Sequence, residues 1–143
     1  MLKNIPNIIS PELLKILHEM GHGDEIVLAD GNFPAANYAK RLVRCDGHNI
    51  PELLAAIMQL FPIDTFVEQP ITLMQVVNPD KENQPDIWKT YGDILNDYQV
   101  SEDKISYEER FDFYERSKKA YAIIATSEKA LYANIILKKG VIE

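Results

Sequence analysis

Gly21-His22-Gly23-Asp24-Glu25-Ile26-Val27-Leu28-Ala29-Asp30 sets a histidine between two glycines and follows it with an apolar run that ends on a carboxylate. The glycines stop the preceding helix, with Gly21 closing it, and let the backbone turn sharply. Ile26 to Ala29 reads as a short buried strand. His22 and Asp30 then stand at the two ends of that strand. Histidine is the side chain whose free pKa lies nearest neutral pH, so His22 is suited to moving a proton.

Upstream, Ser10-Pro11-Glu12 opens a helix, with Ser10 as N-cap and Pro11 in the first helical position. Leu13, Leu14, Leu17 and Met20 give it an apolar face. Downstream, Asn32-Phe33-Pro34 starts a turn or short helix through Tyr38, and a longer helix runs from Pro51 to about Phe61. Thr65 to Glu68 and Ile71 to Val77 read as strands broken by Pro70, and the polar segment 77–84 as a surface loop. Pro85 to Asn96 reads as a helix carrying the only tryptophan, Trp88. Ser106-Tyr107-Glu108-Glu109 has the spacing of a capping box, predicting a helix to about Ala120. Strands over Tyr121–Thr126 and Tyr132–Leu137 follow. Helices alternate with strands, so the class is α/β, and no repeat or linker divides residues 1–143, which read as one domain.

The chain has 22 acidic against 15 basic residues, a net charge of -7, which argues against a nucleic-acid surface. Its single cysteine, Cys45, leaves no intramolecular disulfide framework and fits a reducing compartment. No apolar run approaches the ~20 residues a membrane helix needs. Met1 leads into a polar, proline-bearing segment with no apolar signal core. A cytoplasmic protein without membrane attachment is expected. No Gly-rich phosphate loop follows any strand.

His18-Glu19-Met20-Gly21-His22 matches the letters of a zinc-protease helix. Gly21 breaks the helix that would have to present both histidines, and no third ligand is evident, so no metal is expected. Cys45 reads as a buried thiol rather than a nucleophile. Asp30 and Asp64 each stand at a strand end, where open α/β sheets form ligand crevices but where solvated carboxylates are also common. Arg110 and Tyr114 are four apart on one helix face, while Phe111 and Phe113 read as core and Glu115–Lys119 as a surface ion pair. Tyr132 and Asn134, two apart in the last strand, point to one side. An amide there both donates to and accepts from a hydroxyl-rich ligand.

The pieces Ser10-Pro11-Glu12-Leu13-Leu14, Met20-Gly21-His22-Gly23-Asp24-Glu25, Ala29-Asp30, Asn32-Phe33-Pro34 and Asp46-Gly47 occur in this order. They are followed by Asp64-Thr65-Phe66-Val67-Glu68, Arg110-Phe111-Asp112-Phe113-Tyr114-Glu115-Arg116, Leu131-Tyr132-Ala133-Asn134 and Lys138-Lys139-Gly140-Val141. This collinear set spans nearly the whole chain and resembles the fucose mutarotase / ribose pyranase family. The resemblance implies a single-domain mixed sheet flanked by helices. It also implies a cofactor-free isomerase that interconverts the anomers of L-fucose. It further implies a homo-oligomer, from dimer to decamer, whose pockets can borrow residues from a neighbour. In that family the histidine matching His22 is the proton donor, and the aspartate matching Asp64 serves catalysis and binding in the animal-like members. The aspartate matching Asp30 binds sugar, and positions matching Met74, Arg110, Tyr114, Tyr132 and Asn134 line the pocket. Asn32 stands where many bacterial members carry histidine, and Ala133 where glycine is common.

Mutarotation needs an acid at the ring oxygen and a base at the anomeric hydroxyl, roles expected for His22 and Asp64, with Asp24 a candidate to orient the imidazole. A positioned pair supplies about 10²–10⁴-fold, enough for a reaction that already proceeds in water. Three other readings stand beside it: a ribose pyranase, a non-catalytic sugar-binding protein and a plain interaction protein.

Overall fold

The computed structural model describes residues 1–79, 81 and 83–143. The helix expected after Ser10 is α1 (Pro11–Glu19), where the Ser10 hydroxyl accepts the Leu13 N–H at 3.1 Å. It ends one residue earlier than the sequence predicts. Met20 is the cap, the Lys139 ammonium donates to the Leu17 and Met20 carbonyls, and Gly23 rather than Gly21 takes the left-handed turn at φ 85°. His18 is therefore in the helix and His22 outside it. Strand β1 (Glu25–Ala29) follows, then the single-turn α2 (Ala35–Tyr38). Next come β2 (Leu42–Cys45) and α3 (Ile50–Met58). Asn49 and Glu52 close the start of α3 reciprocally, each side chain accepting the other's backbone N–H, at 3.0 and 2.9 Å.

The second half runs β3 (Ile71–Met74), α4 (Asp86–Asn96), β4 (Ile105–Glu108), α5 (Arg110–Lys119), β5 (Ala122–Thr126) and β6 (Ile135–Lys138). The six strands form one sheet in the order β2-β5-β1-β6-β3-β4. Strand β1 pairs parallel with β5 and antiparallel with β6, which is also antiparallel to β3, so the sheet is mixed as expected. Because β1 lies inside the sheet and both faces are covered, its side chains are buried in both directions. Ile26 and Leu28 enter the larger core with α1, α3 and α4, while Val27 and Ala29 pack with Phe33 of the 30–34 turn, Ala35 of α2 and Phe113 of α5. Full burial of each large aliphatic side chain contributes about 1.5–3 kcal/mol, so β1 is the strand to which the rest is anchored.

Several expectations change. Residues 65–68 form a bent loop, not a strand. Pro62 and Pro70 remove backbone donors on either side, and the Asp64 carboxylate takes the Phe66 N–H at 3.0 Å, which favours a turn. Ser106 to Glu108 belong to β4, which pairs parallel with β3, so the capping box is absent there; Glu109 instead caps α5 through the Phe111 and Asp112 amides. Phe113 is core but Phe111 is exposed, and Glu115 pairs with Lys118 rather than Lys119. The last strand begins at Ile135, not Tyr132. Of the expected 77–84 loop, Asp80 and Glu82 lie outside the described residues, and Val77 is exposed. Among the described residues no helix is long and apolar enough to cross a membrane.

Arg116 of α5 ties this face of the sheet together. Its guanidinium pairs with Glu25 of β1 and donates to Thr72 of β3 and Glu108 of β4, each of the last two at 2.8 Å. Helix α5 is thereby fixed over the end of the sheet that leads to the functional groups.

Candidate functional site

The strand-end residues expected from the sequence fall into two groups, one at each end of β1. Five residues at about 3.3 Å each separate the groups by roughly 15 Å along the strand.

At the Glu25 end, His22 Nε2 lies 3.0 Å from Asp64 Oδ1. The side chain of His22 is 43% exposed and that of Asp64 only 3%. Burial opposes charge on Asp64, but the Phe66 amide, the His22 hydrogen bond and the positive charges of His22 and Lys138 outweigh it. The carboxyl is held below its usual range. An ionised carboxylate can only accept, so Nε2 carries the hydrogen and Nδ1 is left to exchange a proton with whatever arrives from outside. Asp24 does not orient the ring; its carboxylate accepts the Gly21 N–H at 2.8 Å and shapes the turn instead. Asp64 is placed by close backbone contact: its N–H donates to Lys138 O at 3.0 Å, and Gly140 N–H donates to Pro62 O at 2.8 Å. A Cβ on Gly140 would come within 2.7 Å of Ile63 O and 2.8 Å of Asp64 Cα, so only glycine lets these segments meet. Phe66, largely exposed, covers one side of the imidazole with ring centroids 5.0 Å apart.

At the Ala29 end, Asp30, Met74, Tyr114, Tyr132 and Asn134 line one cavity of ≈180 Å³, together with Asn32, Phe33 and Leu131. Asp30 N–H donates to Asn134 Oδ1 at 2.7 Å and Asn32 N–H to Asp30 Oδ1 at 2.9 Å. The Asn134 carboxamide therefore presents its NH₂ as a donor beside a carboxylate acceptor. Burial pushes the Asp30 carboxyl above its ordinary value, the nearby Glu128 charge adding to this, against the Asn32 and Phe33 amides and Asn134. Phe33 and Tyr114 meet edge to face at 5.5 Å and, with Met74, form an apolar wall. One side of the cavity thus suits hydroxyls and the other a methyl or ring face.

Arg110 is the one expected pocket residue outside this cavity. It lines an adjoining recess with Gln75, Val76 and Phe111, and its guanidinium lies 5.7 Å from the Tyr114 ring centroid. Tyr132 and Asn134 do share the cavity, though not through strand alternation: Tyr132 is in the left-handed conformation at φ 56°, ahead of β6. Sequence reasoning missed Phe66 and Leu131, both exposed beside the groups they flank, and it missed the cavity walls Asn32 and Phe33. The Asn32-Phe33-Pro34 turn after a buried strand was the available signal for the latter.

Residues 3–142 match the RbsD / FucU transport protein family. Fucose mutarotase of Mus musculus is 50% identical over 147 residues, covering 99% of this chain and 95% of that one. The crystal structure of the fucose mutarotase from Streptococcus pneumoniae in complex with L-fucose is 57% identical. It superposes with a TM-score of 0.95 over 99% of this chain and 100% of that one. Bacillus subtilis RbsD complexed with D-ribose, at 23% identity and a TM-score of 0.75 over the full length of both chains, shares the fold.

Proposed function

The chain belongs to the RbsD / FucU family, and from that membership we propose that it interconverts the α and β anomers of L-fucose by opening and reclosing the sugar ring. The observation that carries this reading is its full-length likeness to a fucose mutarotase solved with L-fucose. His22 donates a proton from Nδ1 to the ring oxygen as the anomeric hydroxyl loses its own. Asp64, bonded to Nε2, holds the ring and stabilises its charge, and serves as base through an intervening water or sugar hydroxyl. The C1–O5 bond breaks, the aldehyde turns about C1–C2, and closure on the other face gives the second anomer. Asp30, Tyr132 and Asn134 hold the hydroxyls, while Met74, Phe33 and Tyr114 receive the methyl group of a 6-deoxy sugar, and Arg110 and Tyr114 border the entrance. The reaction moves protons only, so no cofactor enters the scheme.

The two groups of residues lie too far apart within one chain to touch one monosaccharide. In this reading the protein is a homo-oligomer in which the His22–Asp64 pair of one copy faces the Asp30–Asn134 cavity of another. The exposed Phe66 beside the pair, and Leu131 and Phe111 near the cavity, supply apolar surface for that contact. The single, buried Cys45 fits a cytoplasmic setting.

Saturation-difference NMR on equilibrated L-fucose, with D-ribose alongside, tests the reading. Transfer between fucose anomers should rise with protein and vanish in His22→Ala. Transfer chiefly between ribose ring forms would make the protein a pyranase, and no transfer in either sugar would leave a binding protein.

A further inference from the structure

Tyr132 and Asn134 sit on a short segment without backbone pairing to the sheet, since the pairing of β6 begins at Ile135; only the Asn134 side chain is tied to the end of β1, by the Asp30 N–H. A bulky aromatic residue at φ 56° does not hold that conformation unaided. Its support comes from helix α4, which packs on the opposite face of the sheet. Trp88 Nε1–H donates to Tyr132 O at 2.9 Å, and Tyr91 Oη–H donates to Ala133 O at 2.7 Å. Trp88 and Tyr91 are three apart and share one helix face, Tyr91 fully buried and Trp88 nearly so. The Tyr107 ring, 5.0 Å from the indole, fixes the latter in turn. These two consecutive carbonyls are thus met by two consecutive donors of one helical turn.

We propose that Trp88 and Tyr91 are positioning residues for sugar binding: their side-chain donors clamp the Tyr132 and Ala133 carbonyls and so hold the Tyr132 side chain and the Asn134 amide in the cavity wall. The inference rests on the reading of that cavity as the sugar site. Neither side chain lines it, so both act through the segment they hold. Burial keeps the Tyr91 phenol protonated far above its ordinary range, which leaves it a donor at any working pH. Nothing in the clamp touches the His22–Asp64 pair. Its loss should therefore weaken binding and spare the chemical step.

Tyr91→Phe removes the donor and keeps the ring. The expected result is a KM for L-fucose raised roughly tenfold, the weight of one buried hydrogen bond, with kcat within about twofold and an unshifted pH profile. Trp88 is the only tryptophan and its N–H is bonded to the Tyr132 carbonyl, so its emission reports on sugar binding through that segment, and its titration midpoint should move by the same factor. In sugar-free protein, amide exchange at residues 131–134 should quicken in Tyr91→Phe while α4 and β6 stay protected. Trp88→Phe, the second variant, should give the same split between KM and kcat. An unchanged KM, a fall in kcat alone, unaltered exchange at 131–134, or protection lost throughout α4 would each overturn the clamp. Wild-type protein that moves no fucose anomers would instead sink the proposed function, and the exchange measurement would then decide the clamp by itself.

Discussion

At the Glu25 end of β1 His22 stands on a turn, nearly half exposed, against the Asp64 carboxylate, which is 3% exposed. At the Ala29 end the polar groups line a walled cavity of ≈180 Å³, backed by aromatic rings and anchored to strand ends. The first end is built to hold one imidazole at an open surface, the second to enclose a small polar molecule. The electrostatics differ in the same sense: Asp64 is kept ionised below the usual carboxylate range, whereas burial makes the charge on Asp30 costly. Under the proposed reading, the cavity gains its acid only where a second copy closes over it, and that closure excludes water from the reacting sugar.

The largest expected effect separates the two ends outright. His22→Ala should lower the rate of fucose anomer exchange by about 10²–10⁴-fold while the affinity for L-fucose, read by tryptophan emission, stays near wild type. A comparable loss of affinity would mean that the ends do not have separate tasks. Gly140→Ala should come next. Its Cβ would press on the backbone at Ile63 and Asp64, destabilising the protein by about 1–3 kcal/mol. The same shift should slow exchange with affinity retained, by displacing Asp64 from His22; kinetics together with denaturant titration check both.

The smallest effect distinguishes the carboxylates by pH. The folded-state pKa of Asp30 is raised, so its stabilising contribution exists below the ordinary carboxylate value and is lost as pH rises through the folded value. Asp30→Asn should therefore raise Tm at pH 7 by roughly 3 °C, with the gain fading toward pH 4, and should weaken fucose binding. Asp64 has the opposite sign. Its contribution is present above the ordinary value and disappears as pH falls through the depressed folded one. Asp64→Asn should lower Tm at pH 7 and cease to matter in strong acid. A thermal scan of both variants across pH, showing the same sign for each, would remove the electrostatic contrast.

Much of this was legible where the cause is local. The Ser10 cap, the apolar run of β1 and the amphipathic α1 and α4 all write their structure into neighbouring residues. Strand β2, with Arg44 exposed at the edge, and strand β4, with its Ser106 and Glu108, carry no such pattern. They are strands because β5 and β3 offer them backbone partners. The site divides along the same line. Asp30 was visible as the end of a buried run, but the bond between His22 and Asp64 spans 42 positions and depends on Gly140 admitting a close approach. Tyr132 was placed beside Asn134 by strand alternation, whereas a left-handed turn held by α4 puts it there. That hold comes from Trp88 and Tyr91, more than 40 residues away in the chain, and has no short-range signature.

The central claim, that one copy's acid meets another copy's cavity, can be put to a direct test by mixing two defective chains. His22→Ala lacks the acid and Asn134→Ala impairs the cavity, and each alone should exchange fucose anomers poorly at sugar concentrations below KM. After the two are unfolded and refolded together in equal amounts, saturation-difference NMR should show about a quarter of wild-type exchange, the share of sites that random pairing leaves with both groups intact. Exchange no greater than the mean of the two parents would mean that each chain completes its own site, and would contradict the account.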